Sequence, residues 1–374
     1  MSRQSITIHT ENPKQSLWLE LSFFESDGNA RQFLSERFPR KYTKPTTLAD
    51  AAQQLSYAIK QAKEFYTAAS HMSSITSPLM YFYGMSNLAK ALMAAFHGQV
   101  VMSSSHGLQR ASPNITSAAI DAYTVKVLGQ GTFHNFHKCY SPANHLKHTS
   151  WSLKELLSVI PELRYSFEEV YSEKSNVVDV IRRVHRDRSL AYISDGRFSH
   201  NATNIAILIP RLQERYLLPP QVIPDGGLIL YEKMGAPEDI TIRSVLGERY
   251  FILAVKKGAD YLWLPELSSH YMLMFILSML VRYDPQAWGE CLTKRLSGIP
   301  HIIERFLEVS ARKFPNMVLN EMKNCDYWFT QETQKDIDER VIIDEKELYE
   351  IVKAQQSKEA LDKRTSKLML DLME

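Results

Sequence analysis

The chain is poor in cysteine. Only Cys139, Cys291 and Cys325 occur among 374 residues, and none forms a CxxC pair. A disulfide scaffold and a zinc ribbon are therefore excluded as organising devices, and the sparse, odd set suits a reducing cytosol. Long apolar runs are missing too. The longest, Tyr271 to Val281, is interrupted by Ser278. As a helix it would rise only about 16 Å, roughly half the hydrocarbon thickness of a bilayer. The first residues, MSRQSITIHTENPKQS, lack the apolar core of a signal peptide. A cytoplasmic protein with no membrane segment is expected. Charge of one sign is not in excess, since Lys and Arg number 44 against 42 Asp and Glu. That balance argues against a surface wholly devoted to nucleic acid and leaves room for local basic patches. No Walker loop, GxGxxG, GxSxG or HExxH occurs. No cofactor is expected, and there is no internal repeat.

What is present is apolar content of 44%, enough for a sizeable core in one or two domains. Residues 15–37 read as a first helix. Residues 47–70 read as a second, because Leu48, Ala51, Leu55, Ile59, Ala62 and Phe65 step by three or four. A third, apolar nearly all round, starts near Pro78 and ends at Gly98, which implies burial between neighbours. MSSSHGLQRASPN reads as a loop. AYTVKVL and TFHNFHKCY flank Gly129-Gln130-Gly131 and read as a hairpin. SLKELLSVI reads as a short helix. VVDVIRRVHRDRSLAYIS, rich in β-branched residues, reads as strand. NATNIAILIPRLQERY reads as helix ended by Pro210. GGLILYEK, ITIRSVL, RYFILAV and DYLWLP read as four short strands. Helices follow at 266–283, 285–296, 300–313 and 316–324. The order is helices, a β-rich middle, then helices. It predicts an α+β fold whose helical ends pack around a mixed, mainly antiparallel sheet.

Several of these words, taken in order, resemble one family. Phe82-Tyr83-Gly84-Met85 is followed by Leu88, Lys90 and Ala91, and then by His106-Gly107. Val125-Lys126-Val127, Gly131, Phe133 and Phe136 continue the likeness, as do Leu156-Leu157 and Ile160-Pro161. His270-Tyr271, Leu277-Ser278-Met279, Arg282-Tyr283, Trp288 and Phe314-Pro315 complete it. The set resembles the YaaC-like bacterial family over most of residues 50–320. The resemblance implies a bacterial protein and brings no catalytic residues with it. On this reading residues 1–45 are an N-terminal extension and 46–325 the YaaC-like core: helical over 46–112, β-rich over 113–265 and helical over 266–325. Residues 326–374 are a charged helical tail, with Leu348, Ile351, Val352, Leu361, Leu368 and Leu370 as a weak stripe, and a candidate partner-binding arm.

Five places carry chemistry. His106 and Arg110 sit in the Ser-rich stretch after the buried helix, and loops carry function more often than cores. They could bind phosphate or carboxylate, with His106 as a base, or His106 could merely cap a backbone group. They are the catalytic candidates, with Lys126 a ligand-binding candidate nearby. His134, His137, Cys139, His145 and His148 crowd together, but a strand would point His134 and His137 to opposite faces, and no metal site is expected. Arg182, Arg186 and Arg188 would share one strand face. They suit a phosphate backbone or simply charge a solvated edge, the simpler reading. His270 and Arg282 lie on one apolar helix, where both can be structural, although Arg282 is retained as a ligand-binding candidate. Last, the Arg-to-His spacing of HEPN-type ribonucleases fits only Arg3–His9 and Arg295–His301. The first lies in the terminus and the second spans Gly298-Ile299-Pro300.

Two functional expectations follow. One is a cytosolic binding or regulatory protein that holds a protein partner, a nucleotide or RNA in a cleft. The other is a metal-independent HEPN-like ribonuclease or phosphodiesterase, with His106 as base and Arg110 steadying phosphate charge. A role in stress or antiphage defence rests on analogy.

Overall fold

A computed structural model describes residues 3–39, 45–111, 116–141, 145–185, 188–198, 205–222, 227–236, 240–294 and 297–331. The chain begins with β1 (Gln4–His9), α1 (Pro13–Ser22), α2 (Asp27–Arg37), α3 (Pro45–Ser70) and α4 (Ser77–His97). The middle holds β2 (Leu108–Arg110), β3 (Thr124–Val127), α5 (Thr132–His137), β4 (Ser150–Ser152), α6 (Leu153–Leu157) and α7 (Arg164–Tyr171). Next come β5 (Val177–His185), β6 (Arg188–Ile193), α8 (Ile205–Leu208), α9 (Leu212–Arg215), β7 (Gln221–Val222) and β8 (Leu228–Tyr231). The chain continues with β9 (Ile242–Arg243), β10 (Arg249–Ile252), β11 (Val255–Lys257), β12 (Asp260–Leu262), α10 (Glu266–Tyr283), α11 (Pro285–Lys294), α12 (Ile299–Lys323) and β13 (Cys325–Thr330). The class is α+β. β1 and β13 run parallel, whereas β2–β3, β3–β4, β5–β6, β6–β8, β7–β8, β9–β10 and β11–β12 run antiparallel.

Two compact units divide the chain. The first comprises Met1–Val178, Ile207–Pro210 and Glu238–Gln331. The second includes Asp179–Ala206 and Arg211–Pro237, and strands β7, β8, β6 and β5 lie in that order within it.

In the first unit α3 and α4 pack side by side, with α10 and α12 against α4. Phe82 of α4 meets Tyr271 and Phe275 of α10, with ring centroids 5.6 and 5.5 Å apart. Tyr271 in turn meets Phe136 of α5 at 5.3 Å and Phe314 of α12 at 6.3 Å. Pro78 falls in the first turn of α4, and Gly98 closes it in a left-handed conformation with φ 57°, as the sequence predicts.

Several expected elements are corrected. The first helix is two, because Ser26 is extended (φ −81°, ψ 124°) and restarts the helix as the cap of α2. The Ser-rich loop contains a strand, β2. The arm after Gly131 is helix, not strand: Phe133, Phe136 and His137 recur at helical spacing and are buried, so one helical face meets the core. The partners of β3 are β2 and β4. The long strand at 177–193 is a hairpin of β5 and β6. Helices 300–313 and 316–324 are one, α12, with Pro315 inside. The apolar stripe Phe306, Phe314, Val318 and Met322 is buried on both sides of the proline, and its burial outweighs the roughly 3 kcal/mol a mid-helix proline costs.

The terminal assignments also change. Leu17, Leu21, Phe24, Ala30 and Leu34 belong to the core, so the N-terminal stretch is continuous with it. Residues 326–330, assigned by sequence to a helical tail, form most of β13, which pairs with β1 from Gln4 opposite Cys325 to His9 opposite Thr330. Arg3 pins this pair through Glu321 at 2.9 Å and Asp326 at 3.1 Å. The tail beyond residue 331 lies outside the described residues.

A buried ionic network ties α10 to α12. Lys313 Nζ lies 3.0 Å from Glu162 and 3.3 Å from Glu266, and also donates to the Arg243 carbonyl. Glu162 additionally accepts from the Val245 amide at 2.8 Å. His270, wholly buried, shares a hydrogen bond with Ser310 Oγ at 2.8 Å. Burial alone would push the Glu266 carboxyl up, but Lys313 and His270 outweigh it and hold it below the usual range. With its folded value depressed, Glu266 contributes stability above about pH 4.5, and that contribution is lost as pH falls through the folded value.

Two predictions follow from this packing. Lys313→Met strands two buried carboxylates and lowers unfolding free energy by about 3–5 kcal/mol in urea titration; a loss below 1 kcal/mol (about one-third of that range or less) shows the network to be energetically slack. A Cβ on Gly84 would sit 2.5 Å from Tyr66 Cδ2. Gly84→Ala is therefore expected to lower stability by about 1–3 kcal/mol through forced separation of α3 and α4, and an unchanged thermal midpoint contradicts this.

Candidate functional site

The site is built on a backbone apposition. Gly107 (φ +76°) and Gly131 (φ +111°) face one another. A Cβ on Gly131 would lie 2.5 Å from the Gly107 Cα and 2.6 Å from Ser105 Oγ. Only glycine accepts both this conformation and this approach. Thr132 and Phe133 donate their amides to the Ser105 and His106 carbonyls at 2.9 Å, and Leu128 donates to Gly107 at 2.9 Å. The loop carrying His106 is thus clamped to the start of α5, with Phe133 and Phe136 anchoring that helix in the core.

The clamp presents an exposed His106 at the rim of the aromatic core, with its ring 5.6 Å from Phe82 and 6.1 Å from Phe275. Two cations bear on it. Arg282 projects from the last turn of α10, held by Nε to the Ser278 carbonyl at 3.1 Å and by Nη2 to Met279 Sδ at 3.3 Å. Lys90, exposed on α4, reaches the Asn87 side chain at 3.4 Å. Partial burial first, then the charges of Arg282 and Lys90, push the His106 imidazole below its ordinary 6.5. It is therefore mainly neutral at pH 7, able to accept a proton or a hydrogen bond, beside two fixed positive charges. Tyr283, exposed beside Arg282, has its ring 5.2 Å from that guanidinium.

Arg110 has a different job. Its guanidinium pairs with Asp284 at 3.0 and 3.1 Å and lies 5.3 Å from the Tyr123 ring. Burial, helped by Asp284, raises the Tyr123 hydroxyl to about 12 against Arg110 and Arg282. Arg110 thus ties β2 to the end of α10, the turn that carries Arg282.

The sequence candidates divide accordingly. Arg282 acts electrostatically on His106. Arg110 lies behind them in an ion pair. Lys126 and Arg110 part on the sheet: Arg110 stands opposite Val125 and Gln109 opposite Lys126. Paired residues share a sheet face and neighbours alternate, so Lys126 and Arg110 point to opposite faces. Arg182, in the second unit, pairs with Glu232 at 2.7 Å, which also meets Arg215 at 3.0 Å. Arg186 lies outside the described residues. Lys90 was missed as a site residue, although it is the only Lys, Arg, Asp or Glu of α4.

The histidine cluster serves packing. His137 shares a hydrogen bond with Ser268 Oγ at 2.9 Å, and His145 Nε2 binds the Trp263 carbonyl at 2.7 Å. Burial is the main reason that the Cys139 thiol rises to about 12, which leaves no thiolate at neutral pH. Among the described residues no group of three His, Cys, Asp or Glu is arranged to hold a metal ion. Of the two Arg-to-His spacings, Arg3–His9 leads into a strand, and Arg295 lies outside the described residues.

Fold and site together define an α+β protein with a cationic, aromatic-floored surface site. The chain belongs to the YaaC-like protein family, whose model matches residues 22–322. The match reaches into the stretch that the sequence reading set apart as an extension. No curated protein and no solved structure matches the chain. Among the described residues no helix is long and apolar enough to cross a membrane.

The cluster makes a titration prediction. By NMR His106 titrates below 6.5, and Arg282→Gln moves its midpoint upward toward that value. A wild-type midpoint at or above 6.5, or no response to the substitution, removes Arg282 from the site.

Proposed function

We propose that this member of the YaaC-like family is a binding or regulatory protein that holds a nucleotide or RNA by its phosphate at Lys90, His106 and Arg282. One observation carries the reading. Two cations from helices far apart in sequence act on one loop histidine, while Asp284, next but one to Arg282, is already engaged by Arg110. An arginine offers phosphate a planar fork and a lysine a point charge. Like charges gathered at a surface repel one another and weaken the fold slightly, a cost that an anionic ligand relieves. Tyr283 offers an aromatic face, and base stacking on such faces contributes about 1–3 kcal/mol per base.

A second reading is favoured by the neutral state of His106. As general base it would take the proton from a ribose 2′-hydroxyl as that oxygen attacks the adjacent phosphorus; the P–O5′ bond breaks, leaving a 2′,3′-cyclic phosphate and a 5′-oxygen that takes a proton from water, with Arg282 and Lys90 balancing the charge that develops. Charge-steadying thus falls to these two rather than to the engaged Arg110.

Fluorescence anisotropy with a labelled adenine nucleotide and a labelled short RNA separates the readings. Lys90→Gln and Arg282→Gln are each expected to weaken binding about tenfold, the effect of roughly 1.4 kcal/mol. If neither variant differs from wild type, the phosphate reading is wrong. RNA left intact after prolonged incubation removes the hydrolytic reading. RNA cut by wild type but not by His106→Ala makes binding alone untenable.

A further inference from the structure

A second cationic cluster lies on the other side of the glycine clamp. Lys147 extends across Gly129, with Nζ 3.1 Å from where a Cβ of that glycine would be. Lys138 follows one turn after His134 in the segment of α5, its amide bonded to the His134 carbonyl at 3.2 Å. Both lysines are exposed. Both also act on His134, whose imidazole is pushed down by burial first and then by these two charges, so the three groups are neighbours. Lys126 is exposed on β3, the strand that leads into Gly129.

The two clusters flank one short piece of backbone. Thr132, bonded to the Ser105 carbonyl beside His106, is separated from Lys138 by six residues, about 9 Å of helix. Acidic residues are missing from the sequence here as well. From Ala122 to Lys154 the chain has four lysines and four histidines and no Asp or Glu. Asp121 stands just before this stretch and Glu155 just after it. Glu155 caps α6 and pairs with Lys257 at 2.6 Å, and Asp284 pairs with Arg110 at 3.0 Å.

Resting on the phosphate reading of the first cluster, we propose that the ligand is a single-stranded nucleic acid. Its backbone runs from Lys90, His106 and Arg282 over the Gly107–Gly131 clamp to Lys138 and Lys147. Single strands expose bases that stack on aromatic rings such as Tyr283, while an acidic peptide brings carboxylates and no such face.

The test uses the full chain and four probes in anisotropy or competition: a 12-nucleotide RNA, a DNA of the same sequence, a mononucleotide and polyglutamate. Binding of the 12-mer is expected to exceed that of the mononucleotide at least tenfold. The double variant Lys138→Gln/Lys147→Gln should lose about tenfold on the 12-mer and leave the mononucleotide unchanged. It should also reduce the slope of log affinity against log salt by about 1.4, the value for two phosphates of a single strand. The RNA and DNA arms identify the sugar, and preference for either supports the proposal. A double variant that matches wild type on the 12-mer, while Arg282→Gln loses binding, overturns the two-cluster track and leaves the phosphate reading standing. Loss in neither variant overturns both. Polyglutamate competing as well as RNA overturns the nucleic-acid class.

Discussion

Everything near the candidate site depends on two glycines pressed backbone to backbone. Gly107 and Gly131 adopt positive φ and approach each other more closely than any side chain permits. Their contact is paid for by neither charge nor apolar burial of their own. It is held by amide-to-carbonyl bonds from Thr132, Phe133 and Leu128 into the loop, and by Phe133 and Phe136, which anchor α5 in the core. The constraint therefore transmits core packing to a surface histidine. Tyr271 of α10 touches Phe133 and Phe136 of α5 and Phe82 of α4, so the helix that carries Arg282 meets, at one aromatic ring, the helix to which the His106 loop is clamped. A local position at the surface is fixed by non-local contacts beneath it.

The interior supports this arrangement with charge as well as shape. Lys313 between Glu162 and Glu266 is costly to desolvate, and a well-packed apolar replacement of the whole group could be equally stable. What the network adds is direction. Lys313 on α12 reaches the short helical turn at Glu162, the first turn of α10 and the backbone at Arg243, so four segments must be in register before every charge finds its partner. At the other end of α10, Arg110 and Asp284 do the same for β2. The helix is thus pinned at both ends, and Arg282 sits next to the outer pin.

The sequence made much of this framework legible. Helical periodicity identified α3, α4 and α10, because each has apolar residues that repeat regardless of which neighbour covers them. The class, α+β, followed from the order of such patterns. Segments whose state is decided by distant contacts were misread. TFHNFH is too short for its period to be decisive, and the Gly-Gln-Gly before it resembles a hairpin turn. It becomes helix because α4 and α10, far away in sequence, cover the face bearing Phe133 and Phe136. Pro315 read as a break because local preference is all that a sequence window holds, whereas burial on both sides carries α12 through. The same limit governs the site. His106 and Arg282 stood out by residue type, yet nothing local to Arg110 announces Asp284. Nothing local to Lys90 says that α10 will place an arginine near it.

The near-zero net charge is the last point to resolve. A total of +2 suggested a surface without strong preference, and averaged over the chain that is correct. Electrostatic recognition does not use the average, because at physiological salt a charge is felt over about 8 Å. What counts is the sign of the groups inside that radius. Near the glycine clamp, Lys90 and Arg282 act on His106 and Lys138 and Lys147 act on His134, while Glu155 pairs with Lys257 and Asp284 with Arg110. The fold sorts its charges: Glu155 and Asp284 are held in ion pairs that brace the scaffold, while Lys90, Lys138 and Lys147 are exposed. A balanced composition is thereby compatible with a locally positive surface, and the pairing that creates the imbalance is the same pairing that holds the surface in place.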